Sequence, residues 1–147
     1  MQHRSIHSVT RSGRRSTNED AVWVWTSDAW DPRVSVLAVA DGMGGHEHGE
    51  KASEIAVQAV QNEVEDWTSP PNGRDDLQVR CEQLFSRIDE ALQIYSQRHA
   101  EVDEMGTTLV MTVVLNQTAF IAHIGDSRAY WISQQGAVTQ LTRDHNA

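Results

Sequence analysis

Hydrophobic and polar positions change period several times along the chain, and each change predicts a new element. Two short runs, AVWVW (21–25) and VSVLAVA (34–40), have apolar side chains at successive positions, which predicts strands that are mostly buried on both faces. Apolar residues then recur at helical spacing over 47–67 and again over 75–98, which predicts two helices. The segment SPPNG (69–73) between them contains the residues that commonly break a helix and form a turn.

The last third of the chain predicts two β-hairpins. TTLVMTVVL (107–115) and TAFIAHIG (118–125) flank Asn116-Gln117, and AYWI (129–132) precedes a turn and the run AVTQLT. Strands followed by two consecutive helices and further strands are typical of an α+β fold, not of alternating parallel α/β units. We expect one domain over residues 1–147, since a chain of 147 residues is long enough to bury a core.

Composition limits which kinds of partner the protein can bind and in which cellular compartment it is expected. The formal net charge is −9, which argues against a nucleic-acid-binding surface. No apolar stretch approaches the roughly 18 residues that a membrane-spanning helix needs, and the N-terminal residues lack an apolar signal core. Cys81 is the only cysteine, so an intrachain disulfide is excluded, and its position on a helical stripe predicts a core residue. We therefore expect a cytoplasmic protein without a membrane span.

Acidic residues stand at the boundaries of three apolar strands. Glu19 and Asp20 precede AVWVW, Asp41 follows VSVLAVA, and Asp126 follows FIAHIG. Strand ends of one sheet lie close together, and clustered carboxylates repel one another unless a cation neutralises them. Hard divalent cations such as Mg²⁺ and Mn²⁺ prefer such oxygen ligands. Taken singly, each of these acidic residues could instead be an ordinary turn-forming residue at the end of a strand.

The glycine-rich segment after Asp41 fits a cation better than a bare phosphate. Gly42, Gly44 and Gly45 allow the backbone to approach an ion closely and to turn into the following helix. The segment has neither the GxxxxGK[ST] nor the GxGxxG pattern of phosphate-binding loops. The pattern therefore favours a cation site at Asp41, with a glycine carbonyl as an extra ligand.

Four ordered motifs indicate a family: GRRSTNED (13–20), VADGMGGH (39–46), GTT (106–108) and HIGDSRAY (123–130). Their order and spacing resemble those of the PP2C-type, metal-dependent protein serine/threonine phosphatases, and DGMGGH is the bacterial form of its motif. The resemblance extends over nearly the whole chain. It implies a sandwich of two antiparallel β-sheets flanked by helix pairs, with a binuclear Mn²⁺ or Mg²⁺ centre at one end and, in bacterial members, a third ion.

The resemblance also implies metal-binding roles for individual residues. Asp41 resembles the ligand that bridges both ions, Gly42 the adjacent carbonyl ligand, and Glu19 the carboxylate of the second ion. Asp20 resembles the residue that orients metal-bound water, and Asp126 the acid that helps to hold a third, weaker ion. Together these residues are expected to form the metal centre of the enzyme.

Two further residues are candidates for contacts with substrate. Arg15 resembles the arginine that binds the substrate phosphate, a role for which a guanidinium is well suited, and Arg14 is its nearest rival. His46 is a candidate proton donor, although the family's animal members have a histidine directly after Asp-Gly, where this chain has Met43. A solvated loop histidine remains the alternative for His46, and for His48 as well.

The implied activity is hydrolysis of phosphoserine and phosphothreonine in proteins by a metal-activated water, without a cysteine or serine nucleophile. The expected partners are phosphorylated proteins, the targets of a serine/threonine kinase. The sequence ends at LTRDHNA, without the later Asp-Gly and Asp-Asn motifs that supply further metal ligands in the family, so the C-terminal part of the fold is expected to be missing. The alternative function is therefore a catalytically inactive phosphoprotein-binding or regulatory module of the same fold.

Overall fold

The structure is a computed structural model that describes residues 4–31, 33–44, 48–102 and 104–145. In this part of the chain two strands precede two helices, and five strands follow. The elements are β1 (Asp20–Thr26), β2 (Val34–Gly44), α1 (His48–Glu65), α2 (Gly73–Arg98), β3 (Met105–Thr107), β4 (Leu109–Leu115), β5 (Thr118–Ile124), β6 (Tyr130–Ile132) and β7 (Val138–Gln140). The order of elements confirms the predicted α+β fold with two consecutive helices.

The strands form two antiparallel sheets. The larger sheet has five strands in the order β1-β2-β4-β5, with β3 paired to the far end of β2, and β6 pairs with β7 in a separate ribbon. Both predicted hairpins are confirmed, and Asn116 adopts a positive φ of 57° in the turn between β4 and β5. Such a turn suits the twist of antiparallel strands, and asparagine tolerates this backbone conformation better than most residues.

One face of the larger sheet packs against the helices. Alternate residues of β2 are buried on this face, because successive side chains of a strand point to opposite sides. The core that they share with α1, α2 and β4 consists of Val34, Val36, Ala38, Ala40, Ala56, Val60, Val64, Trp67, Leu77, Leu84, Ile88, Leu109, Met111 and Val113. Cys81 packs against this core, and burial raises the pKa of its thiol to about 11, which agrees with the predicted structural role.

The other face of the sheet is considerably more open, which corrects the prediction that AVWVW is buried on both sides. Val24 on β1 is 37% exposed and Val39 on β2 is 46% exposed, whereas Trp23 and Trp25 on the opposite face pack against the core. The ribbon of β6 and β7 is also exposed, including Trp131. The continuous apolar run suggested a fully buried strand, but helices cover only one of its faces in the described part of the chain.

Strand β2 also continues further than predicted. It ends at Gly44 instead of Ala40, because Gly42, Met43 and Gly44 pair with the three residues of β3. Asp41 and Gly42 therefore belong to a hydrogen-bonded strand. The backbone around Asp41 is therefore held by a strand on each side, since β1 pairs with β2 at Asp41 and β3 pairs with β2 from Gly42 onward.

An ion pair between a buried glutamate and a partly exposed arginine joins the two helices. Glu63 on α1 is buried and accepts hydrogen bonds from Trp67 Nε1 at 3.2 Å and from Arg87 of α2 at 2.5 Å. Both carboxylate oxygens of Glu63 are thus paired, which offsets the loss of hydration on burial. In the described residues no helix is both long enough and apolar enough to cross a membrane.

Candidate metal and phosphate site

Two aspartates face each other at one end of the sheet. The register of β1 and β2 places Asp20 opposite Asp41, and directly paired residues of antiparallel strands point to the same face. This face is the one that the helices leave uncovered, so both carboxylates are accessible from solvent. The register thus confirms that acidic residues from two strand ends meet, although it does not by itself assign their roles.

The electrostatic environment of Asp41 is unfavourable for its negative charge. Partial burial raises the pKa of Asp41, and the neighbouring Asp20 raises it further, both by charge repulsion and by hydrogen bonding. Asp126 raises this pKa as well, whereas the positive charge of Arg15 lowers it. We call Asp20, Asp41 and Asp126 the aspartate cluster, because Asp20 and Asp126 are both within electrostatic reach of Asp41, as is Arg15, and a cation would relieve the repulsion.

Glu19 points to a different place. One residue before Asp20, its side chain lies on the side of α1, where a Cβ added at Gly49 would come within 2.6 Å of Glu19 Oε1. The backbone carbonyl of Glu19 accepts a hydrogen bond from the amide of Gly42 at 2.9 Å. The structure therefore brings Glu19 next to the backbone of Gly42 but does not include its carboxylate in the aspartate cluster.

The backbones of Gly42 and Gly49 are packed against each other. A side chain at Gly42 would overlap the carbonyl oxygen of Gly49 and would lie 3.0 Å from the carbonyl oxygen of Glu19. Both positions need glycine because the first turn of α1 presses directly on β2 at the level of the site. The same close packing leaves only limited space for the Glu19 carboxylate, which is 20% exposed.

Arg15 is a highly accessible charged group within electrostatic reach of Asp41. Its side chain is 79% exposed, and its only ion pair in the described residues is a long one of 3.9 Å to Glu19. A guanidinium with unused hydrogen-bond donors next to a cation site can bind a phosphate oxygen without first breaking a strong internal contact. Arg14 also lies in the exposed segment, without an ion pair in the described part of the chain.

Asp126 is positioned by a constrained loop that follows β5. Gly125 has a φ of +93°, and a Cβ at this position would lie 2.7 Å from Cγ2 of Thr108. On the other side of Asp126, the Ser127 hydroxyl makes a 2.6 Å hydrogen bond with the Thr108 hydroxyl. A left-handed glycine and a short hydroxyl contact therefore hold the backbone on both sides of this aspartate.

A second clamp closes the same loop. Arg128 donates two hydrogen bonds to Asp144, at 2.9 and 2.6 Å, and Gly125 and His145 exchange further bonds through their backbones and the imidazole of His145. The pKa of Asp144 is lowered, chiefly by its hydrogen bond from Arg128. Because both carboxylate oxygens of Asp144 accept hydrogen bonds from Arg128, we assign Asp144 a structural role in holding this loop.

The donor chemistry of the cluster fits a hard divalent cation, but the described residues do not complete a site. Carboxylate oxygens are the preferred ligands of Mn²⁺ and Mg²⁺, and the raised pKa of Asp41 reflects charge that such an ion would neutralise. Over residues 4–31, 33–44, 48–102 and 104–145, however, no three histidine, cysteine, aspartate or glutamate side chains lie close enough together to hold an ion. Among the described residues, Glu19, Asp20, Asp41 and Asp126 therefore do not make up such a group.

The histidines differ in where the structure places them and in what surrounds them. His46, the candidate proton donor, lies outside the described residues. His48 begins α1, and its Nδ1 is buried without a hydrogen-bond partner among the described residues. His123 lies within β5 and stacks on His145 at a centroid distance of 4.7 Å, and desolvation lowers its pKa, which is consistent with a structural role.

Sequence reasoning missed two residues at this site. Thr108 was part of the GTT motif without a role, yet its hydroxyl accepts a hydrogen bond from the Asp41 amide at 3.0 Å. Gly49 was not considered, although its lack of a side chain makes room for Glu19. The GTT motif was an available signal for Thr108, whereas nothing local in the sequence indicates the contact of Gly49.

Comparison with known proteins identifies the family to which this site belongs. The sequence profile of Protein phosphatase 2C matches residues 10–147. The chain belongs to the protein phosphatase 2C family. A curated relative of this phosphatase 2C chain, the serine/threonine phosphatase Stp of Listeria monocytogenes, is 31% identical over 144 residues, which cover 96% of the chain and 55% of the relative.

Solved structures of bacterial phosphatases share the phosphatase 2C fold described above. The serine/threonine phosphatase Stp1 of Staphylococcus aureus has a TM-score of 0.80 and 30% identity, and the match covers 99% of this chain and 57% of that one. The catalytic domain of PstP, solved in complex with two manganese ions, has a TM-score of 0.70 and 32% identity, with 88% of this chain and 50% of that one covered. The chain thus spans about half the length of the relatives that it matches.

Proposed function

We propose that this chain is the part of a bacterial-type protein serine/threonine phosphatase that binds metal and substrate phosphate. The reaction is hydrolysis of phosphoserine and phosphothreonine in proteins, and its substrates are phosphoproteins modified by a serine/threonine kinase. The observation that supports this proposal most is the position of Asp41, which lies opposite Asp20 on the paired strand and whose pKa is raised by partial burial and by the charges of Asp20 and Asp126. A bound cation would relieve the repulsion between these carboxylates, and the catalytic domain of the similar phosphatase PstP was solved with two manganese ions.

The proposed metal centre uses Mn²⁺ or Mg²⁺, two ions in a complete domain and a third at Asp126. Asp41 would bridge two ions, the Gly42 carbonyl and Glu19 would hold one of them, and Asp20 would orient water. When bound, such ions polarise phosphoryl oxygens and lower the pKa of a coordinated water to about 7. The chain's own contribution is to hold these carboxylates in place through the paired strands β1 and β2.

Arg15 is proposed to bind the phosphate of the substrate. Its exposed guanidinium can donate two parallel hydrogen bonds to a phosphate dianion while the aspartate cluster lies within electrostatic reach. The acidic cluster alone would repel a phosphate, so binding of the substrate requires both the arginine and the cations. No cysteine or serine nucleophile enters this proposal, and the partly buried Cys81 packs against the core.

For residues 1–147 alone we expect weak binding of Mn²⁺ at a single site and little or no phosphatase activity. The described residues supply no complete group of three ligating side chains, and a lone ion cannot stabilise both the attacking and the leaving oxygen. Calorimetric titration with Mn²⁺ should give a Kd of roughly 0.1–1 mM, a range typical of weak oxygen-ligand sites. Hydrolysis of a phosphothreonine peptide and of p-nitrophenyl phosphate is measured in parallel.

The same assay separates the two candidate functions. If the gene encodes residues beyond Ala147, Mn²⁺-dependent turnover by that longer product supports the phosphatase, and its absence defeats the proposal. An inactive phosphoprotein-binding module is the second candidate, since the described residues lack a complete ligand group. It is supported if the longer product binds phosphopeptide without turnover. Two tight Mn²⁺ sites in residues 1–147 would show that other carboxylates complete the centre.

Replacing Arg15 by alanine should weaken phosphopeptide binding about tenfold, because a charge-assisted hydrogen bond contributes roughly 1.5–3 kcal/mol. If turnover is measurable, the KM should rise more than kcat falls. The matched control is Arg14→Ala, which removes the same charge one residue away. Binding is measured by fluorescence titration with a labelled phosphothreonine peptide in the presence of Mn²⁺. An equal loss in both variants would indicate general electrostatic attraction and would refute the specific role of Arg15.

A further inference from the structure

Thr108 contacts both segments that contribute to the aspartate cluster. Its hydroxyl accepts a hydrogen bond from the Asp41 amide at 3.0 Å and makes a 2.6 Å hydrogen bond with the Ser127 hydroxyl, one residue from Asp126. Its backbone amide donates to the Asp41 carbonyl at 2.9 Å. One side chain therefore connects the strand of Asp41 to the loop of Asp126.

The contact with Asp41 replaces part of the regular sheet. The pairs Gly42↔Thr107 and Val39↔Val110 place Thr108 opposite Asp41, between the end of β3 and the start of β4. Opposed residues that form a hydrogen-bonded pair would normally exchange two backbone bonds. Here the Thr108 amide donates to the Asp41 carbonyl, which is the only backbone–backbone hydrogen bond of this pair. The Asp41 amide donates to the Thr108 hydroxyl instead of to the Thr108 carbonyl.

The displaced carbonyl of Thr108 is satisfied in another way. The Thr107 hydroxyl donates to it at 2.8 Å and also lies 3.2 Å from the Asp41 carbonyl. This arrangement frees the Thr108 hydroxyl to reach the Ser127 side chain across the sheet end. An ordinary backbone pair at this level would hold Asp41 equally well but would leave the loop of Asp126 without this connection.

The methyl group of Thr108 completes the contact. Its Cγ2 lies beneath Gly125, where any added side chain would come within 2.7 Å, so the loop packs on Thr108 as well as bonding to it. Valine keeps this methyl contact and replaces the hydroxyl by a second methyl group, whereas serine keeps the hydroxyl and removes the methyl. The two substitutions therefore separate hydrogen bonding from packing.

We infer that Thr108 is a positioning residue that couples Asp41 to the Asp126 loop through its hydroxyl, holding the two carboxylates in a fixed relation. Its role in metal binding rests on the proposed function, whereas the coupling itself does not. Thr108 has no proposed contact with substrate and acts only through the two aspartate-bearing segments. Loss of the hydroxyl should loosen both segments together, since each would lose a hydrogen bond to the same atom.

The coupling is tested by amide hydrogen exchange, measured by NMR on the metal-free chain. In Thr108→Val the amide of Asp41 should exchange roughly tenfold faster, the effect of losing a hydrogen bond of about 1.4 kcal/mol. The amides of residues 126–128 should also exchange faster. Thr108→Ser should restore both to within about threefold, and Thr112→Val on β4 is the control for the same substitution away from the site. Unchanged exchange at Asp41 in Thr108→Val, or failure of serine to restore it, overturns the coupling.

The second readout is Mn²⁺ affinity, measured by calorimetry on the same variants. Thr108→Val should weaken binding about tenfold, whereas Thr108→Ser and Thr112→Val should bind nearly as well as wild type. Equal affinity in Thr108→Val and wild type overturns the positioning role even if exchange is altered. If wild type binds no Mn²⁺, the proposed metal site and the positioning role fail together, while the exchange data still decide the coupling.

Discussion

Replacing Gly42 by alanine is expected to lower the free energy of unfolding by about 3 kcal/mol, at the upper end of the usual effect of overpacking. The added Cβ would overlap the carbonyl oxygen of Gly49 and approach that of Glu19. Both obstacles are backbone atoms, which cannot rotate away as a side-chain end can. Relief would require α1 to move off β2, and with it part of the core that these elements share. Urea denaturation followed by circular dichroism measures the effect.

The matched control for this prediction is Gly106→Ala. Gly106 lies opposite Met43 in the same pair of strands, and a Cβ there would meet only the flexible Met43 side chain, at 3.5 Å or more. This variant should lose less than about 1 kcal/mol, as is usual for substitutions without a named steric conflict. Similar losses in the two variants would show that the contact between Gly42 and Gly49 is not the dominant constraint.

Replacing Asp41 by asparagine should have opposite effects on metal binding and on metal-free stability. The substitution removes the carboxylate that is proposed to bridge two ions. Mn²⁺ binding should therefore weaken by more than roughly tenfold, because loss of a residue that only supports a metal ligand already lowers metal affinity by about tenfold or more. The hydrogen bonds of residue 41 to Thr107 and Thr108 use backbone atoms and should remain. Calorimetric titration with Mn²⁺ measures the first effect.

Without metal, the Asp41→Asn variant should be more stable than wild type at neutral pH. A pKa that is raised in the folded state means that the folded protein binds this proton more tightly than the unfolded chain does. Ionisation of Asp41 therefore removes stability as the pH rises from the unfolded value of 3.8 through the raised folded pKa. Asparagine cannot ionise, so the variant should unfold at a higher temperature in the presence of a chelator, and the difference should disappear below the unfolded pKa.

Asp20→Asn provides the comparison for both effects. It relieves the same repulsion from the opposite strand and should also raise the metal-free melting temperature. Because Asp20 is proposed to orient water instead of bridging ions, its loss should weaken Mn²⁺ binding less than the loss of Asp41. If Asp41→Asn retained wild-type Mn²⁺ affinity, or if it melted at a lower temperature in chelator, the assignment of Asp41 would be wrong.

Much of the fold could be predicted from periodicity and turn residues. Both helices, the two hairpins and their turns lie within a few residues of their predicted positions, because each has a strong local pattern. Strand β3 and the end of β2 were missed. Gly42 and Gly44 have no side chains that would report alternation, and glycine is a poor strand former in isolation. Their pairing with Met105–Thr107 depends on a contact between distant parts of the chain.

The convergence of the aspartates was predictable, whereas their exact grouping was not. Acidic residues at the ends of apolar strands predicted that Glu19, Asp20, Asp41 and Asp126 would meet. The structure shows Asp20 opposite Asp41, and Asp126 lies within electrostatic reach of Asp41. Glu19 and Asp20 were treated as one acidic spot, although adjacent residues in extended backbone point to opposite sides. The side that Glu19 occupies is limited by Gly49 of α1, and no local pattern in the sequence encodes that contact.

The connection between Asp41 and Thr108 has a consequence for how the chain folds. The two residues are 67 positions apart, and both helices lie between them. Closing a long loop has an entropic cost that grows slowly with its length, and contacts of large sequence separation slow folding. The contact of Glu63 with Arg87 spans only 24 positions, and Glu63 with Trp67 lies within a single helical turn. We therefore expect the helix hairpin and the β1–β2 pair that holds Asp20 opposite Asp41 to form early, whereas the connection from Asp41 through Thr108 to the loop of Asp126 forms only when the two distant halves of the sheet have joined.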